Sequence, residues 1–258
     1  MYLSVDIGGT KTLVAVFSSR GRVIRKRKFK TALLAQDFLN DLTEVLTDFS
    51  RYTVRAITVA IPGEVRGDYW VRFGKRNWDG IDIYGCIKNL YSCPIYFEND
   101  ANLAAVYESY RLHGRTLFLT FSTGLGGGIA ENGRLLPESK NFEPGQKIYT
   151  VDGQSDEWQN IAAASALEKH FRVKRATDLR GAEVMQEIAA RVALGLPDLV
   201  AAYHPRTIIL GGPLGKIFKS YVKYLPKFRD VRFRRPRRPT ESVIYGCYIF
   251  SKNQERLS

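Results

Sequence analysis

Two stretches about a hundred residues apart are built alike: each alternates apolar and polar residues, breaks at glycines and then resumes. In the first, Leu3, Val5 and Ile7 lead to Gly8-Gly9-Thr10, and Leu13, Ala15 and Phe17 follow. In the second, Leu117 to Phe121 leads to a break at Gly124-Leu125-Gly126-Gly127-Gly128, and the strand resumes at Ile129-Ala130. Period-two alternation around a glycine turn reads as strand, tight turn, strand. Its recurrence predicts an internally duplicated chain with two lobes of like construction.

The segments between these hairpins make the class α/β. Arg22 to Lys30 would complete a meander with the first hairpin. Phe38, Leu42, Val45, Leu46 and Phe49 recur at helical spacing, and Ala56 to Ile61 is a short apolar run closed by Pro62-Gly63. Helices are expected over Leu103 to Leu112, about Glu157 to Phe171, and Ala182 to Tyr203, followed by a strand from Thr207 to Leu210 that ends on Gly211-Gly212. A boundary near Gly114 splits the chain into lobes 1–113 and 114–241 with a cleft between them. A C-terminal helix over 242–254 is expected to join the first lobe. No low-complexity linker separates the lobes.

With 258 residues, 45% of them hydrophobic, each lobe can bury a core of its own. No window approaches the roughly 18 to 20 consecutive apolar residues that span a bilayer, and Met1 to Asp6 runs straight into the first strand, so no membrane association and a cytoplasmic location are expected. Cys86, Cys93 and Cys247 are scattered, with no CxxC pair, so neither a disulfide framework nor a cysteine zinc site is implied. The 39 Lys and Arg against 26 Asp and Glu leave a formal charge of +13, which favours an anionic partner: nucleotide, phosphorylated metabolite, polyphosphate or nucleic acid.

Three segments carry chemistry. Asp6-Ile7-Gly8-Gly9-Thr10-Lys11 sets a carboxylate at a strand end and two glycines in the turn, so that backbone N–H groups can approach a phosphate and Asp6 can face its metal ion. Taken alone it is equally a glycine hairpin. Ser122-Thr123-Gly124-Leu125-Gly126-Gly127-Gly128 is a second loop of this kind, and two such loops, one per lobe, suit a triphosphate gripped across a cleft. Phe97-Glu98-Asn99-Asp100-Ala101-Asn102 lies where an apolar run passes into a helix. There Asn99 or Asp100 can serve as a helix cap, and Asp100 can also accept a proton from an attacking hydroxyl.

In order and spacing these residues resemble the ROK sugar kinases (repressor, open reading frame, kinase) of the actin, hexokinase and Hsp70 superfamily. The resemblance runs through DIGGTK at 6–11, IPG at 61–63, NWDG at 77–80, ENDAN at 98–102, STGLGGGI at 122–129, EPG at 143–145 and IILGGPL at 208–214. It implies duplicated ribonuclease-H-like lobes around an interlobe cleft, and a glucokinase-like phosphorylation of a hexose or hexosamine hydroxyl by ATP and Mg2+. It further implies Asp100 as general base; Asn99, Glu143, Gln146, Gln159 and Gly63 at the sugar; Asp6, Gly8, Gly9, Thr10 and Lys11 as the first phosphate loop; and Thr123, Gly124 and Gly126 as the second. Gly211 and Gly212 would form the turn against the adenosine, and Asp6 would face Mg2+ directly or through water. Dimers are frequent in the family, so a homodimer is compatible.

The chain departs from the family pattern where the sugar is read. Gln146 stands where a histidine is common, and Lys147 to Asp156 holds no cysteine or histidine, so no zinc site is expected. Gln159 aligns with a second glutamate, which keeps an acceptor but loses the charge and puts the identity of the sugar in question. The alternatives are polyphosphate as donor, or a weakened relative acting as a sugar-sensing or regulatory binding protein. Basic runs at Arg22–Lys30 and Arg232–Pro239 are solvated faces or contacts for polyphosphate or nucleic acid. A DNA-binding regulator is disfavoured, since family repressors carry a winged helix-turn-helix ahead of the kinase-like fold and here Asp6 lies almost at the amino terminus.

Overall fold

In the computed structural model, residues 1–66, 70–73, 78 and 80–256 are described. The NWDG segment, through Asn77 and Asp79, lies partly outside them. The chain divides into two compact units, one of residues 1–107 with 241–258 and one of residues 108–240.

The first unit is built on β1 (Tyr2–Ile7), β2 (Lys11–Phe17), β3 (Val23–Lys30), α1 (Ala35–Phe49), β4 (Ala56–Ile61), β5 (Gly63–Arg66), β6 (Trp70–Phe73), α2 (Ile83–Lys88), β7 (Ile95–Asn99) and α3 (Asp100–Ser109), whose last two residues cross into the second unit. Its main sheet has the order β3-β2-β1-β4-β7. The first three strands form the antiparallel meander, while β1, β4 and β7 run parallel. Each residue of β4 is buried, as befits a central parallel strand covered on both faces. Phe38, Leu42, Val45, Leu46 and Phe49 form the buried stripe of α1.

The second unit holds β8 (Thr116–Phe121), β9 (Leu125–Glu131), β10 (Arg134–Leu135), β11 (Ile148–Val151), β12 (Gln154–Glu157), α4 (Trp158–Ala162), α5 (Ala164–His170), α6 (Ala182–Ala193), α7 (Leu196–Tyr203), β13 (Thr207–Gly211), α8 (Gly212–Lys216), α9 (Phe218–Tyr221) and β14 (Arg232–Arg234). Its sheet has the order β10-β9-β8-β13-β14. Here β9 is antiparallel to β8 and β10, and β8, β13 and β14 are parallel. The two sheets therefore share strand order and direction, with β8 and β9 in the places of β1 and β2. This is the duplication read from the two glycine hairpins.

The last helix, α10 (Ser242–Gln254), returns to the first unit and packs on β1 and β4. Gly246 makes its close approach possible, because a methyl group there would collide with the backbone carbonyl of Leu103. Thr58 and Ser251 hydrogen-bond through their hydroxyls at 2.6 Å, so each of these two buried hydroxyls has a partner.

Three expectations need correction. Gly126, Gly127 and Gly128 do not lie in a turn: they pair with Thr120, Leu119 and Phe118 inside β9, and the turn itself is Ser122-Thr123-Gly124. A Cβ at 127 would stand 2.5 Å from the Phe142 ring, so that glycine makes room for packing. The expected helix over 157–171 breaks at Ala163, whose ψ of 154° is extended. The expected helix over 182–203 breaks at Gly195, where a Cβ would strike the Trp158 ring, and Pro197 opens the following helix. Two hairpins also escaped the reading. Asn132-Gly133 joins β9 to β10, and Asp152-Gly153 joins β11 to β12, all four residues having positive φ. These dipeptides are strong short hairpin signals and could have been read as such.

Candidate functional site

In the first unit the parallel strands β1, β4 and β7 end side by side, with Asp6 opposite Ala60 and Ala60 opposite Glu98. Their C-terminal ends bring Asp6, Gly63, Asn99 and Asp100 to one edge of the sheet. The turn after Asp6 is tight: the Gly8 N–H donates to the Lys11 carbonyl at 3.1 Å, and a Cβ at Gly8 would crowd that oxygen at 2.8 Å. Thr31 braces it by donating its hydroxyl to the Gly8 carbonyl at 2.9 Å. A Cβ at Gly9 would meet nothing within 4 Å, so the turn is open to an approaching group there. Thr10 and Lys11 complete the turn and are exposed.

Burial pushes the Asp6 carboxyl up to about 7, and the negative charge of Asp100 pushes the same way, while Lys28 opposes both. Two carboxylates whose charges repel, at a strand edge beside a glycine turn, fit a divalent cation, which would relieve that repulsion. Behind Asp6, the Cys247 thiol on α10 is buried and held well above its ordinary value by that burial and by the charge of Asp6. Nothing in the sequence paired these two residues.

Asn99 acts at the helix start. Its Oδ1 accepts the Ala101 N–H at 2.9 Å and the Asn102 N–H at 3.3 Å, and its Nδ2 donates to the Gly63 carbonyl at 3.0 Å. Asn99 thus ties the end of β7 to the start of β5 while capping α3. Asp100 is the first residue of α3, where the helix dipole favours a negative charge, and its Oδ1 accepts the Ala101 N–H at 2.7 Å. The neighbouring Glu98, whose carboxyl burial pushes upward, accepts from Asn102 Nδ2 at 2.9 Å and from the Asn99 N–H at 2.8 Å. ENDAN is therefore one hydrogen-bonded knot that presents Asp100 at the strand edge.

The second unit repeats the arrangement at the end of β8. The Ser122 N–H donates to the Gly124 carbonyl at 2.8 Å, and α5 holds the turn through Ser165, whose N–H donates to the Ser122 carbonyl and whose hydroxyl donates to the Thr123 carbonyl. Gly211 ends β13 beside it, in register with Thr120, and Gly212 opens α8. Gly212 has a φ of +68°, and a Cβ there would collide with the Phe121 carbonyl.

Glu143, Pro144, Gly145 and Gln146 form a short helical turn packed on β9, with Gly145 against the Leu125 carbonyl. Glu143 and Gln146 are exposed. The Gln159 Oε1 lies 2.9 Å from where a Gly124 Cβ would sit, so this amide borders the second turn. Its Nε2 donates to Glu157 Oε2 at 2.5 Å. Glu157, which the sequence marks only as a helix start, thus supplies a carboxylate two residues from the glutamine that lacks the charge. Alignment by position could not reveal it, because the side chain reaches across the start of α4.

Residues 2–140 match the family model described as ROK family. The chain belongs to the ROK family. An N-acetylmannosamine kinase of Yersinia pestis (strain Pestoides F) is 27% identical over 285 aligned positions, covering 97% of this chain and 98% of the relative. Among solved structures, the ROK hexokinase from Thermus thermophilus superposes with a TM-score of 0.79 at 24% identity, covering 100% of this chain and 99% of that one. The ROK family glucokinase from Streptomyces griseus, in complex with glucose and AMPPNP, superposes at 0.76 with 20% identity, covering 98% and 99%. The fold of this ROK chain is accordingly that of the ROK hexokinases. Among its described residues no helix is long and apolar enough to cross a membrane.

Proposed function

We propose that this ROK chain transfers the terminal phosphoryl group of ATP to a hydroxyl of a hexose or hexosamine. As a class it is a sugar kinase, a phosphotransferase with an alcohol acceptor. The nucleotide, the individual sugar and the residue roles are the proposal. The observation that carries it is the repetition of one device. Each of two sheets of identical order ends its first strand in a glycine turn, the first of them open at Gly9, and the first adds Asp6 and Asp100 at the same edge.

In this reading the backbone N–H groups of Gly9 to Lys11 and of Thr123 to Gly124 bind phosphate oxygens, the Gly8 N–H closing the first turn onto the Lys11 carbonyl, and Gly211-Gly212 lies against the adenosine. Asp6 would hold Mg2+, which offsets phosphate charge when bound. Asp100 takes the proton of the attacking sugar hydroxyl as the new O–P bond forms and the bond to the ADP oxygen breaks, then returns that proton to solvent. Asn99 holds the backbone that presents Asp100, while Glu143, Gln146, Glu157 and Gln159 supply acceptors and donors for sugar hydroxyls or an acetamido group. The Yersinia relative supports testing a hexosamine first.

A coupled assay with N-acetylmannosamine, N-acetylglucosamine, glucose, mannose and fructose, each with ATP or polyphosphate, tests the proposal. Sugar-dependent ADP release is expected. Its absence with every sugar, together with tight sugar binding, would overturn the reading in favour of a sugar-sensing protein.

A further inference from the structure

We propose that the second unit carries a separate anion site, an open basin at the N-terminal ends of β8, β13 and β14 that takes a small, multiply phosphorylated anion. Thr116, Thr207 and Arg232 are in register, so three parallel strands begin side by side there. The cavity measures about 680 Å³, the size of a small-molecule site. Ser122–Gly124 and Gly211–Gly212 lie at the opposite ends of the same strands. Five or six residues at about 3.3 Å each put them roughly 17 to 20 Å away. This basin is therefore not the second phosphate turn.

Its lining is basic. Arg111, Arg206, Arg232 and Arg234 face it with His113, against Asp230 as the one lining carboxylate. Among the described residues none of these four guanidinium groups has a carboxylate partner within ion-pair distance. Arg115, next to the basin, does have a partner, Glu138 at 3.4 Å. Four like charges gathered around a single carboxylate repel, and phosphate oxygens, which guanidinium forks bind bidentately, would relieve that repulsion.

The backbone is shaped for this gathering. A Cβ at Gly114, where φ is +75°, would stand 2.6 Å from Arg206 Cγ, so the glycine lets the arginine stem lie across the chain. Arg111 and Asp230, also in the lining, hold φ of +75° and +68°, a region that non-glycine residues enter at a cost. Arg232 and Arg234 alternate along β14 and so project to the same side.

The test is calorimetric titration of inorganic tripolyphosphate into the full chain, first saturated with a non-hydrolysable ATP analogue so that the phosphate turns are blocked. The proposal expects one saturable site, weakened at least tenfold by the double variant Arg206→Gln/Arg232→Gln and by raising the salt from about 0.05 to 0.5 M. Lys169→Gln/Lys174→Gln, which removes the same charge from exposed lysines outside the lining, should leave affinity within about twofold. Circular dichroism confirms that each variant is folded. No saturable binding, or equal weakening by both double variants, would overturn the site in favour of general charge attraction. A short DNA duplex that binds through these arginines while tripolyphosphate does not would replace the small anion with nucleic acid.

Discussion

Replacing Asp6 by Asn should stabilise the apo protein while disabling it. In the folded chain the Asp6 carboxyl sits near 7 instead of 3.8, chiefly through burial and secondly through the charge of Asp100. A folded-state pKa above the unfolded one means that the native state binds the proton more tightly. Stability is then greatest below about pH 4, falls as the pH rises through 7, and carries the full penalty above it. At about 1.4 kcal/mol per unit, some 3 units amount to a ceiling of about 4 kcal/mol, lowered by the partial exposure of Asp6. Asn has the same shape and no charge to desolvate. Urea unfolding in chelator should show Asp6→Asn gaining on wild type between pH 5 and pH 8, by about 2 kcal/mol or somewhat more. Millimolar Mg2+ at pH 8 should narrow the gap by stabilising only wild type. A stability difference that is the same at both pH values, or that favours wild type at pH 8, would refute the claim that Asp6 is a desolvated carboxylate held next to a second negative charge.

Asp100→Asn should keep the fold and nucleotide affinity and lower kcat by about a hundredfold or more, measured by steady-state kinetics beside nucleotide titration. Its Oδ1 can still accept the Ala101 N–H, so wild-type turnover would mark Asp100 as a helix-terminal residue only. Gly246→Ala should destabilise by about 3 kcal/mol or more in chemical unfolding, because α10 must retreat from the Leu103 carbonyl; an unchanged midpoint would mean the helices yield freely. Gln159→Glu puts a second carboxylate against Glu157, and the repelling pair should bind one proton more readily. Its sugar kcat/KM, relative to wild type, should therefore fall from pH 5 to pH 8, and a flat ratio would separate Glu157 and Gln159 from the sugar.

The glycine hairpins and the ENDAN segment were readable because their signals are local. Alternation of period two, a glycine turn and an amide before a helix each concern residues within a few positions of one another. The second glycine run misled for the same reason: Gly126 to Gly128 look like a turn, but packing against Phe142 and pairing with β8 keep them in a strand. Helix breaks at Ala163 and Gly195 answer to Ser165 bracing the second turn and to the Trp158 ring, neither of which periodicity reports.

By itself the sequence determined the duplicated α/β class and which residues end the strands, because strand, turn and cap preferences act along the chain. Only the tertiary structure decided that Asp6 shares its edge with Asp100 and has Cys247 of α10 behind it, and that Glu157 holds the Gln159 amide. Only the fold gathers Arg111, Arg206 and Arg232 into one basin. Burial and charge act through space, and all of these partners but Glu157 and Gln159 lie tens to hundreds of residues apart in the chain.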